Sequence, residues 1–265
     1  MKFKSEFLES YTAQAPLALA FERVMECRIL SRQAFERPIL DIGCGEGLFA
    51  NVLFAEKIDT GIDPNARELE RAKEFDGYDE LIECFGDAIP KPDSAFRTVF
   101  SNSVVEHIPH LEPVLREAFR LLTPGGRLYL TVPSDRFDEY SLVSQTLGLC
   151  GLTGLQSWFR AFYNRFWAHY HFYTPDRWAE IVKSCGFEVV ELHTYGPKYV
   201  CLMNDTLTPL GLAARFTKGY TNRWTLVPGL RRVLLAPVLA LARTILNGAE
   251  RCDAGGLVFI AARKP

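Results

Sequence analysis

Apolar residues along this chain gather into short runs bounded by Gly, Pro and Asp. Between the runs lie longer stretches in which they recur every three to four residues. Phe7 to Phe35 reads as helical, with Leu17, Phe21, Val24 and Ile29 near a helical period. Pro38-Ile39-Leu40-Asp41-Ile42 is then a short strand that stops at Gly43-Cys44-Gly45-Glu46-Gly47, and Leu48 to Ala55 resumes as helix. The rhythm continues with strand Ile58 to Ile62, helix Ala66 to Phe75, and strands Leu81 to Cys84 and Thr98 to Ser101. Helix Leu111 to Leu122 follows, closed by Pro124-Gly125-Gly126, and then strand Arg127 to Val132.

Short buried strands alternating with helices predict a parallel sheet covered on both faces. Two interruptions break the alternation. Asp135 to Phe172 holds no clear strand but many aromatics, and Gly196 to Asp253 follows helix Asp176 to Cys185 and strand Glu188 to Thr194. Gly255 to Ala261 closes the series as a last strand. The expectation is one α/β domain over residues 1–265, with 135–172 and 196–253 as helical insertions forming a cap.

Composition narrows the function. The chain is 48% hydrophobic and 23% charged, as a folded globular protein is. Its 30 basic and 32 acidic residues nearly cancel, which argues against nucleic acid as a partner. The seven cysteines are scattered and form no CxxC pair, so they read as buried apolar residues of a reducing compartment. The first residues, MKFKSEFLESYTAQAP, lack the apolar core of a signal peptide, and a cytoplasmic location is expected.

Candidate chemistry begins at the turn Asp41-Ile42-Gly43-Cys44-Gly45-Glu46-Gly47, where glycines let the chain bend and a ligand approach the backbone. Leu48 stands where a nicotinamide fingerprint has its third glycine, and Asp41 suits a cationic amino group better than a diphosphate. Asp63, about 20 residues on, is placed to accept hydrogen bonds from a ribose, and Asp87 from an adenine amino group. Each acid alone is equally a helix cap or turn residue; together with the glycine turn they converge on one crevice at the strand ends.

The runs ILDIGCGEG, GID ending at Asp63, GDA at Gly86 to Ala88, SNSVVEHI at Ser101 to Ile108 and LLTPGGRLYLTVP at Leu121 to Pro133 resemble the successive motifs of class I S-adenosylmethionine-dependent methyltransferases, and more narrowly the type 11 small-molecule group. The resemblance covers Pro38 to Pro133 closely and His171 to Thr194 loosely. It implies a doubly wound, Rossmann-like, mostly parallel seven-stranded sheet with the last strand antiparallel. It also implies S-adenosylmethionine as cofactor, with Asp41, Gly43, Gly45, Gly47 and the adjoining backbone around its methionyl part, Asp63 at the ribose, and Asp87 with the Ala88 backbone at the adenine. Ser101 and Asn102 would lie beside the sulfonium, with Glu106 and His107 just beyond.

Candidate bases are His107, His110, His169 and His171; His107 is the best placed, and the resemblance makes His171 a pocket-lining position. Each has the alternative of a structural histidine, His171 through the helix start at Thr174-Pro175. His193, inside a strand, reads as structural. No metal-ligand spacing such as HExxH occurs, so no metal is expected.

Both insertions leave the carboxyl edge of the sheet and are expected to build an acceptor pocket. The first carries Trp158, Phe159, Phe162, Tyr163, Phe166, Trp167 and Tyr170; Leu226 to Leu246 in the second is apolar but broken by Arg231, Arg232, Pro237 and Arg243. Segment 226–246 is too charged to span a membrane and reads as a lid, a homodimer contact or a peripheral membrane contact. The expected acceptor is a small, partly apolar, lipidic molecule such as a lipid-linked sugar, quinone precursor or polyketide, methylated on O, N or C. The alternatives are a binding module without turnover, or an enzyme acting on protein or RNA.

Overall fold

The computed structural model describes residues 1–265, the side chains of residues 212 and 213 apart. Helices α1 (Phe7–Gln14) and α2 (Leu17–Leu30) lead into β1 (Ile39–Ile42), α3 (Leu48–Leu53), β2 (Ile58–Asp63), α4 (Ala66–Phe75), β3 (Tyr78–Glu83) and β4 (Phe96–Asn102). A 3-10 turn (Val105–His107), α5 (Leu111–Leu121) and β5 (Leu122–Pro133) complete the parallel part. Then come α6 (Leu142–Leu149), α7 (Thr153–Phe166), α8 (Pro175–Ser184), β6 (Glu188–Pro197), α9 (Lys198–Thr221), α10 (Pro228–Ile245) and β7 (Gly255–Arg263).

The sheet has the order β3-β2-β1-β4-β5-β7-β6. Its first five strands are mutually parallel, and β7 runs antiparallel to both β5 and β6. This is the doubly wound arrangement that the strand–helix rhythm and the resemblance imply. Chain direction across the sheet reverses between β1 and β4, and the crevice at their carboxyl ends is where open α/β sheets take ligands.

Two boundaries differ from expectation. The predicted long first helix is two, because Pro16 removes an amide donor and forces Ala15 into extended backbone (φ −128°, ψ 161°). Strand β3 begins at Tyr78 rather than Leu81: it is an edge strand whose Asp79 and Glu80 face solvent, so its start carries no apolar run.

One face of the sheet packs on α1, α2, α3 and α10 around Phe35, whose ring meets those of Phe3, Phe54, Phe100 and Tyr129. The other face packs on α5 and α8. There Trp178 is fully buried and its indole Nε1 donates to the Pro133 carbonyl at 2.9 Å. That bond pins α8 to the end of β5, from which the first insertion departs.

The second insertion rests chiefly on the first two helices and meets the aromatic one at Asp205, which accepts from the Tyr163 hydroxyl at 3.0 Å. Helix α9 packs on α2, and α10 packs on α1. Arg231 donates to the carbonyls of Thr12 and Ala15 at 2.9 and 3.0 Å, supplying partners that the end of α1 lacks. Among the described residues no helix is long and apolar enough to cross a membrane.

Trp178→Phe removes both the indole donor and ring volume at a site without solvent. The unfolding free energy is expected to fall by about 2–3 kcal/mol in urea titration. A loss below about 0.5 kcal/mol would show that α8 is held by other contacts.

Candidate functional site

At the end of β1 the chain turns through three glycines, each with positive φ: Gly43 (80°), Gly45 (50°) and Gly47 (77°). The amides of Gly43 and Cys44 both donate to the Ile62 carbonyl, locking the turn to β2. A Cβ on Gly43 would stand 2.3 Å from Val104 Cγ1, whereas one on Gly45 would meet nothing within 4 Å. Gly43 is thus required by packing, and Gly45 faces open space. The Asp63 carboxylate accepts from the Gly45 amide at 3.0 Å and the Asn65 amide at 2.8 Å, so it fastens the turn from the neighbouring strand end.

Asp41 points elsewhere. Its carboxyl is buried beneath the turn, accepts from the Tyr78 hydroxyl at 2.7 Å, and is pushed up to about 7 by burial. Ser101 is also buried and donates to the Ile42 carbonyl at 2.8 Å, tying β4 to β1. Asp87 and Ala88 are exposed in the loop after β3.

Asn102 belongs to a buried polar network that the strand motifs do not announce. Its amide donates to Glu26 Oε2 at 2.7 Å, and its carbonyl oxygen accepts from Thr131. Glu26, on α2 and without solvent exposure, also accepts from Arg23, Ser103 and Tyr195. Little in the sequence marks it: α2 also carries Glu22, Arg23 and Arg28, and nothing in the pattern singles out Glu26 as the charge that is fully buried and must be paired.

A second cluster lies one turn beyond β4. Glu106 is 2% exposed, and its carboxyl is pushed up to about 8 by burial. His107 Nδ1 lies 3.2 Å from the Ala168 carbonyl, and its Nε2 is 3.8 Å from Glu106 Oε1. The His169 ring stacks beside it with centroids 5.1 Å apart. Desolvation lowers both imidazoles, His169 to about 4.

His171 holds this arrangement without entering it. One ring nitrogen meets the Tyr173 hydroxyl and the other the Ile108 carbonyl, both at 2.9 Å. The amides of Tyr170 and His171 donate to the Glu106 carbonyl. These bonds lay the 168–173 loop against the 3-10 turn and so deliver His169 to Glu106 and His107. His110 precedes α5 and is exposed; His193 lies on β6 against Phe259.

Glu106, His107 and His169 open on a cavity of about 330 Å³. Its polar floor includes Arg23 and Ser103, and its apolar walls include Phe137, Phe166 and Trp167. Helix α9 adds Asp205 and Arg215, so residues of both insertions line one space. Beyond α9 the chain crosses the glycine turn. Trp224 Nε1 donates to Glu46 at 2.6 Å, and Lys218 pairs with Glu46 and Glu68 at 3.5 and 3.1 Å.

Burial of Asp41 has a measurable consequence. A carboxyl raised from 3.8 to about 7 contributes stability present below its unfolded value and lost as pH rises through its folded one. Asp41→Asn keeps an acceptor for Tyr78 and removes the titration. Relative to the parent, the variant is expected to gain stability between pH 5 and 8, on the order of a few kcal/mol. A pH-independent difference in urea unfolding would refute this.

Comparison with known proteins agrees with the geometry. The family described as "Methyltransferase domain" matches residues 13–192. The mitochondrial ubiquinone biosynthesis O-methyltransferase of Mus musculus is 30% identical over 113 residues, 39% of this chain and 30% of that protein. The 27-O-demethylrifamycin SV methyltransferase of Amycolatopsis mediterranei is 38% identical over 109 residues, 36% of this chain and 40% of that one. The matches thus span well under half of these relatives' length. Among solved structures, an S-adenosylmethionine-dependent methyltransferase from Thermotoga maritima superposes with a TM-score of 0.57 at 16% identity, covering 94% of this chain and 92% of its own. A family match over more than half of the chain, carried on a sheet of this order, decides membership: the chain belongs to the family described as "Methyltransferase domain".

Proposed function

We propose that this protein transfers a methyl group from S-adenosylmethionine to an oxygen, nitrogen or carbon of a small, partly apolar acceptor. The observation that carries the reading is the cavity, where Glu106 and His107 at the end of β4 share one space with the aromatic wall of α7. An apolar track leads to it: Trp158, Phe162 and Phe166 stack in series along α7, each partly exposed, and Phe166 is itself a wall of the cavity. A polar substrate gains nothing from such a surface, whereas an apolar one is desolvated along it. The names of two relatives, a ubiquinone biosynthesis O-methyltransferase and a 27-O-demethylrifamycin SV methyltransferase, support an acceptor of this kind.

The cofactor supplies an electrophilic methyl on a sulfonium. What remains for the chain is to bind, orient and exclude water, since in-line transfer depends chiefly on positioning. The turn of Gly43, Gly45 and Gly47 fits a close ligand because Gly45 faces open space and its side is free of any Cβ. Asp63 would hold the ribose while latching that turn, and Asp87 with the Ala88 backbone would meet the adenine. Ser101 and Asn102 brace the strand end beneath the methionyl part, and Asp41 supports the turn from below through Tyr78. His107 faces the acceptor. His171 acts at one remove, by fixing the loop that carries His169.

Helix α10 turns Leu230, Val233, Leu234 and Leu241 to solvent, all more than half exposed, beside Arg232 and Arg243. That face supports peripheral contact with a lipid surface from which an apolar acceptor is drawn. Flotation with anionic liposomes is expected to carry the protein. A soluble dimer in sedimentation equilibrium, with no flotation, would give the face to a second copy instead.

Calorimetric titration with S-adenosylhomocysteine should give micromolar binding that Asp63→Ala abolishes. Gly45→Ala should lower affinity by at least about tenfold, because its methyl projects into the ligand space, and should lower the melting temperature modestly, because alanine is strained at this positive φ. Methylation of apolar hydroxylated acceptors would complete the case. Binding of neither the cofactor nor its product would refute it.

A further inference from the structure

The cluster of Glu106, His107 and His169 is built as more than a hydrogen-bonded wall. Among the described residues it is the one group of His, Cys, Asp and Glu side chains whose ligand atoms converge, all within 4.8 Å of one another. Two of its atoms have no partner: Glu106 Oε2 and His169 Nδ1 are both buried without a hydrogen bond. Leaving such atoms unsatisfied is costly, and the side chains that carry them open on the same cavity.

His107 adds the orientation of a ligand. Its Nδ1 faces the Ala168 carbonyl, which places the ring proton there and leaves Nε2 with its lone pair toward Glu106. A backbone carbonyl behind the far nitrogen is the arrangement that fixes metal-bound imidazoles. The supporting bonds serve the same end: the Glu106 carbonyl receives two amides of the His169 loop, and His171 clamps that loop from outside. Arg23, the nearby cation, is paired with Glu22 and Glu26 and makes no hydrogen bond to Glu106, although its charge acts on it.

We propose that Glu106, His107 and His169 bind one divalent transition-metal ion, with coordination positions left open toward the cavity. Two imidazoles and one carboxylate form a mixed nitrogen–oxygen set suited to zinc, iron, cobalt or manganese, whereas magnesium and calcium favour oxygen alone. Ligands on one such ion stand about 3–3.5 Å apart, so small rotamer changes from the present spacing close the site. Resting on the methyltransferase reading, the ion would receive an oxygen of the acceptor. It would make a hydroxyl more acidic beside the methyl donor, the bond from methyl to oxygen forming as that from methyl to sulfur breaks and the hydroxyl proton passing to solvent.

Tag-free, chelator-stripped full-length protein titrated with Co²⁺ tests this by visible absorption. The expected result is a ligand-field band that saturates at one equivalent, is displaced by Zn²⁺, and shifts when azide takes an open position. Glu106→Gln and His169→Asn should each weaken Co²⁺ binding on the order of 100-fold or more, beyond the loss typical of supporting residues. Circular dichroism and thermal melting of the same samples show whether each variant is folded, and S-adenosylhomocysteine binding by the parent protein keeps the two readings separate. Absence of a one-equivalent band in protein that binds S-adenosylhomocysteine overturns the metal site and leaves the methyltransferase standing. An undiminished band in both variants overturns the ligand assignment. Stoichiometric Co²⁺ that fails to respond to azide overturns the open positions.

Discussion

The Glu26 carboxylate is the constraint around which the site is assembled. It has no access to solvent, and an isolated charge in that position would be prohibitively unfavourable. It is offset by donors from three parts of the chain: Arg23 on its own helix, Asn102 and Ser103 at the end of β4, and Tyr195 on β6. Satisfying one charge therefore brings α2, the centre of the sheet and its far edge into a single register. The cavity lies directly on this network, since Arg23 and Ser103 are both part of its floor.

The parallel half of the sheet was legible because each strand there is buried and short, flanked by Gly, Pro or Asp. β1 is closed on both faces, and a strand of that kind has few ways to be written. Where burial lapses, so does the signal: β3, an edge strand, starts with Asp and Glu beyond Tyr78 and looks like a turn from its composition. The break at Pro16 illustrates a different limit. Periodicity persists across it, but backbone chemistry stops the helix.

The geometry of the candidate site was legible where it rests on the backbone and obscure where it rests on convergence. Three glycines in a row of alternating positions announce a left-handed turn, and Asp63 at the next strand end is found by spacing alone. Asp41 read as a ligand contact; the fold spends its carboxyl on Tyr78, a residue from an edge strand that no local pattern connects to it. His169 joins Glu106 and His107 only because an irregular loop folds back onto the 3-10 turn, and no spacing rule anticipates a contact made that way. His171 stood out in the sequence too, and its ring bonds the same loop to the Ile108 carbonyl.

The placement of β7 has a consequence for synthesis. Strand β6 has β7 as its sheet partner, and β7 stands between it and β5. While the ribosome is still making α10, the first five strands can already pair, but β6 has no neighbour to receive it. Helix α8 already has the end of β5 to pack on through Trp178, and α9 has α2, but β6 stays unpaired until Gly255 to Arg263 has emerged. The outer part of the sheet is therefore completed late, when one short antiparallel strand slides between two others.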